Sequence, residues 1–81
     1  MKSSTNSWLR LAEKDLLAAK KLLEDEMLGN LVFFHCQQAI EKILKGILEE
    51  HLIPFPKTHS VIKLYVLLPK KQKIKTLIKK H

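Results

Sequence analysis

Two stretches of this chain place apolar residues at helical spacing. From Trp8, apolar positions recur at Leu11, Ala12, Leu16, Ala19, Leu22 and Leu23, one wide helical face. Ser4, Thr5, Asn6 and Ser7 stand just before it as N-cap residues, so a first helix is expected over about 7–28. Gly29 supplies a left-handed stop and Asn30 a cap for the next helix. The second pattern is Val32, Phe33, Cys36, Ala39, Ile40, Ile43, Leu44, Ile47 and Leu48, which predicts a helix over about 31–50. Its stripe is broad enough to touch two neighbours, as a central helix would. Only Gly29 and Asn30 part the two patterns, so the helices should fold back as an antiparallel hairpin.

Beyond the hairpin, "HLIPFPKTHS" breaks the periodicity, because Pro54 and Pro56 push Ile53 and Phe55 out of helical geometry. Thr58 is the expected N-cap of a short helix over about 59–68, with Val61, Ile62, Leu64, Tyr65 and Leu68 on its buried side. Pro69 suits the first turn of a further helix, in which Ile74, Leu77 and Ile78 form a thin apolar stripe among lysines. No strand-like alternation, repeat or linker interrupts the chain. The expectation is an all-α, antiparallel up-and-down helical bundle: two long helices as a hairpin plus shorter C-terminal helices, one domain over 1–81.

Size sharpens that picture. A chain of 81 residues buries only about 60–65% of its unfolded surface, so its core is small. An apolar fraction of 46% with 2 Gly and 3 Pro argues against disorder and leaves apolar surface for self-association. Charge is unevenly spread. Of the net +7, residues 57–81 carry eight lysines and no acid, whereas residues 1–56 carry seven basic groups against eight acids. A basic end of this kind suits RNA, acidic lipid or an acidic partner, and equally a solvated lysine-rich face. Cys36 stands alone, which precludes an internal disulfide and fits a reducing cytosol. The start "MKSSTNSW" lacks the apolar core of a signal peptide, and "LVFF" is far shorter than a membrane span. A soluble, cytoplasmic protein is expected.

Candidate chemistry gathers on the second helix. His35, Gln38, Lys42 and Lys45 succeed one another at i, i+3, i+7 and i+10, a polar stripe expected opposite the core. Glu41 and Lys45 form an i, i+4 pair in the favourable order, consistent with a solvent face. Metal binding fits poorly: His35 and Cys36 are adjacent and diverge by about 100° on a helix. Cys36 falls on the apolar stripe, where it is expected to be buried and inert. A second polar cluster, Lys57, Thr58 and His59, comes after the prolines. No cofactor is implied.

Trp8, Ala12, Asp15-Leu16 and Ala19, then "FHCQQAIEKILKGIL", then "KTHSVIKL", resemble the HEPN domain in order and in spacing. That resemblance covers about 8–68 and implies a helical bundle, usually a homodimer, often paired with a minimal nucleotidyltransferase in a toxin–antitoxin-like system. It also implies, in catalytic members, a metal-independent ribonuclease relying on an Arg-x(4–6)-His motif late in the domain. The one arginine here, Arg10, has no histidine four to seven positions after it. Relative to the family's further long helix, the chain is expected to be truncated or degenerate. The resulting expectation is a non-catalytic binding module for a nucleotidyltransferase, a nucleotide or RNA. Its contact residues would be His35, Gln38, Lys42, Lys45, Lys57, Thr58 and His59. The alternative is a ribonuclease using His35 or His59 as general base.

Overall fold

A computed structural model describes residues 1–69 and shows an all-α arrangement. Helix α1 spans Ser3–Leu22, α2 spans Gly29–Glu50 and α3 spans Val61–Val66. The first two pack along their lengths as an antiparallel hairpin, and α3 leans on the C-terminal half of α2. The fourth helix expected after Pro69 lies outside the described residues.

Helix α1 begins and ends earlier than its sequence suggests. Ser4 to Ser7 are helical rather than caps, and no side chain caps the helix at Lys2. Glu50 does that work from the far end of α2. Its Oε1 accepts from the backbone N–H of Lys2 and from Thr5 Oγ1, each at 3.0 Å. At the other end, Asp25 accepts from the Met27 N–H at 2.9 Å and starts a 3-10 turn, Glu26–Leu28. This turn absorbs residues that the apolar pattern assigned to α1. Gly29 is not the expected left-handed stop: its φ of −54° is helical, and it opens α2 directly.

The stop of α2 is the left-handed one. Leu52 has φ 57°, its N–H donates to Glu49 O at 3.1 Å, and the Ile53 N–H reaches back to Leu48 O at 2.9 Å. These two bonds form a Schellman ending, with Ile53 packed on the Leu48 cluster as that motif favours. Leucine holds the position that glycine usually fills. Helix α3 is shorter than expected and is capped by Ser60, whose Oγ accepts from the Lys63 N–H at 3.2 Å. Thr58 instead accepts from the Ser60 N–H at 3.1 Å, making a turn ahead of the helix.

The core sits where α3 meets α2: Leu44, Leu48, Leu64 and Leu68, with Ile47, Ile53, Phe55 and Tyr65 against them. Along the hairpin, closeness rather than bulk decides the contact. Thr5, Ala12 and Ala19 on α1, spaced seven apart, and Ala39 and Gly46 on α2 are all buried. A β-carbon on Gly46 would stand 3.3 Å from Trp8 Cβ, so the two backbones nearly touch there. The expected core stripe of α2 is therefore displaced. Phe33, Ile40 and Ile43 are exposed, at 72%, 49% and 36%, and Cys36 is half-buried rather than sealed. Helix α1 lies against the small and polar side of α2 instead.

Candidate functional site

With that docking, the polar stripe of α2 faces protein. His35 and Lys42 converge on Asp15, which projects from α1 between Ala12 and Ala19. His35 Nδ1 lies 2.9 Å from Asp15 Oδ1, and Lys42 Nζ donates to Asp15 Oδ2. A carboxylate only accepts, so the proton sits on His35 Nδ1 and the ring is oriented by Asp15. Phe34 lies edge-on to the same ring at 5.4 Å. Burial is the largest influence on Asp15 and raises its pKa. The hydrogen bonds and charges of Lys42 and His35 together outweigh it and hold the carboxyl below its ordinary value.

A second cluster lies further along α2, built on Glu41. Lys45 Nζ donates to Glu41 Oε2 at 3.0 Å, and His59 Nδ1 approaches the same oxygen at 3.2 Å from the loop before α3. This i, i+4 pair, expected on a solvent face, is buried: the side chains of Glu41 and Lys45 are 3% and 10% exposed. Lys45 Nζ also sits 5.3 Å from the centre of the Trp8 ring, within cation–π range. Trp8 in turn meets Phe55 edge-on at 6.5 Å.

Beside this cluster opens a cleft of about 800 Å³. Trp8, Lys45 and Glu49 form one part of its wall, and the loop from Leu52 to His59 forms the rest. The loop rises over α2 because the left-handed Leu52 turns the chain back and the prolines keep it extended. Four of the seven residues singled out from sequence line this cleft: Lys45, Lys57, Thr58 and His59. His35 and Lys42 do not. They belong to the Asp15 cluster, and half-buried Gln38 falls between the two groups on α2.

The sequence pattern does not single out Trp8, Glu41 or Asp15 as site residues. The trace of Asp15 is its position: an acid at i+3 from Ala12 and i−4 from Ala19, on a face whose small residues mark close approach. Glu41 reads as a solvent residue because its partner, four residues on, satisfies it locally. Among the described residues no group of His, Cys, Asp and Glu could hold a metal ion, and no helix is long and apolar enough to cross a membrane.

A helical hairpin with a short third helix, an ion-paired seam and an aromatic-walled cleft on one side defines a small all-α domain. The HEPN domain model matches residues 5–81, and the chain belongs to that family. The chain matches no curated protein and no solved structure.

Proposed function

We propose that this chain is a non-catalytic HEPN-type binding module whose cleft receives a nucleotide or an RNA end. The observation that carries this reading is the convergence of Trp8, Lys45, Lys57, Thr58 and His59 on one open cleft. An aromatic face suits a base, and such stacking is worth about 1–3 kcal/mol per base. Lys57 and His59 stand exposed at the mouth, where a phosphate would meet them. Lys45 plays a different part. Held between Glu41 and the Trp8 ring, it keeps the platform rigid more than it offers charge. The absence of an Arg-x(4–6)-His sequence favours binding over cleavage. Residues 57–81, with eight lysines, extend the attraction to longer RNA. The family resemblance adds a nucleotidyltransferase as the protein partner, in a toxin–antitoxin-like pair.

Trp8 is the only tryptophan, so its fluorescence reports the cleft directly. Titration with a mononucleotide and with a short RNA should shift that emission, and Lys57→Ala and His59→Ala should weaken both responses. Unchanged emission up to millimolar ligand overturns the reading. The same RNA, labelled and incubated in chelator, should stay intact. Cleavage lost in His35→Ala or His59→Ala would make the protein a metal-independent ribonuclease instead.

A further inference from the structure

The cleft has a direction along α2. At one end Glu41 holds His59 at 3.2 Å, and Lys57 stands exposed two residues earlier on the same loop. Glu49 lies at the other end, the only acid among the lining residues. Eight residues separate Glu41 from Glu49, about 12 Å of helical rise, and Lys45 with the Trp8 ring falls between them. The two acids differ in what they meet. Glu41 is buried and pairs with Lys45 and His59. Glu49 is half-buried, and among the described residues its carboxylate takes one long hydrogen bond, from Ser4 Oγ to Oε2 at 3.4 Å. Ser4 is one helical turn before Trp8, so a carboxylate with an oxygen to spare stands one turn from the aromatic wall.

We infer that Glu49 reads the base and that the cleft prefers guanine, which rests on the cleft's being a nucleotide site. Charge sets the direction of the ligand. Phosphate is repelled by Glu49 and drawn to Lys57 and His59 at the far end. An extended nucleoside monophosphate has a length comparable to the separation of the two ends. With its phosphate at Lys57 and its base on Trp8, the outer edge of the base arrives at Glu49. A carboxylate only accepts hydrogen bonds, so it selects an edge that presents donors. Guanine offers two adjacent ones, N1–H and the N2 amine, which match the two carboxylate oxygens. Adenine and cytosine each set a ring-nitrogen acceptor beside their amine, and uracil flanks its N3–H with two carbonyls. Each of these turns a lone pair toward Glu49 and leaves one of its oxygens unsatisfied. The Ser4 bond yields readily, since it is long and exposed Ser4 finds water instead.

Calorimetric titration of the full chain with GMP, IMP, AMP, CMP and UMP tests the preference. GMP should bind about tenfold more tightly than AMP, CMP or UMP. IMP keeps N1–H but lacks the N2 amine, and should fall between. Glu49→Gln keeps the side chain's length but turns one acceptor into a donor, and should bring GMP down to the affinity of AMP. Lys57→Ala should weaken all five alike, because it acts on the phosphate they share. Circular dichroism checks that each variant remains helical, and the order of the five ligands on the wild-type chain needs no variant at all. Equal binding of all five overturns the guanine preference while leaving the cleft a nucleotide site. A preference that survives Glu49→Gln overturns the role of Glu49. Binding of none of the five overturns the nucleotide site itself, and the preference with it.

Discussion

The two sides of α2 sit in each other's expected environment. Its charged side, with His35, Glu41, Lys42 and Lys45, is half-buried or buried against α1 and the loop, while Phe33 and Ile40 face outward. The difference teaches what selects a helix–helix contact in so small a domain. Helices approach closest where side chains are short, and here the short ones, Ala39 and Gly46, share a face with His35 and Lys42. Charged groups brought along by that choice must be paired. Asp15 and Glu41 each pair with one lysine and one histidine, and among the described residues no buried side-chain polar atom lacks a partner.

The largest test of this comparison is Glu41→Ala. It leaves Lys45 buried without its carboxylate and should cost about 3 kcal/mol, near the lower end for breaking a buried pair because the Trp8 ring still faces the ammonium. Urea unfolding measures it. A cost below about 0.5 kcal/mol would return the pair to the solvent face that the i, i+4 spacing first suggested.

Asp15→Asn comes next, at about 2 kcal/mol, since His35 and Lys42 keep some access to water. The same cluster sets a pH dependence. The Asp15 pKa is lowered on folding, so the folded state holds its proton less tightly than the unfolded chain. Its stabilisation is present above the unfolded value near 3.8 and is lost as pH falls through the lowered folded value. Glu50 behaves likewise, its carboxylate favoured first by the Lys2 N–H and then by Thr5. Wild type should therefore lose stability on acidification below about pH 4, and Asp15→Asn should lose less over the same window.

These clusters also mark how far the sequence could be read. The hairpin and the third helix come from apolar periodicity, because burying a stripe is the main force forming such helices. Which stripe meets which helix is not contained in that pattern. Hydrophobicity ranks Phe33 and Ile40 above Ala39 and Gly46, whereas docking geometry ranks them the other way. The cleft was legible in part. Lys57, Thr58 and His59 stood out as a polar cluster after the prolines, but Trp8 reaches them only through the tertiary fold. The ends of elements were hardest, since Glu50 caps α1 from 45 residues away through Thr5.

A smaller effect, of opposite sign, is expected at the cleft's rim. Leu52 occupies the left-handed position of the α2 ending with its side chain exposed, so Leu52→Gly relieves backbone strain and gives up little packing. The gain should be about 0.5–1 kcal/mol after the added freedom of the unfolded chain is counted. If nucleotide binding weakens while stability rises, the strained leucine is retained for its contact with ligand.

The smallest effect should come from the largest apolar side chain on the open face. Removing a core phenylalanine costs about 3–5 kcal/mol, and the apolar pattern of α2 placed Phe33 in the core. In the structure its side chain is mostly in water, 72% exposed. Phe33→Ser at a concentration where the chain is monomeric should therefore change stability by less than about 0.5 kcal/mol. A concentration-independent loss of several kcal/mol would show that α2 buries its apolar stripe within one chain. That result would reverse the assignment of the two sides.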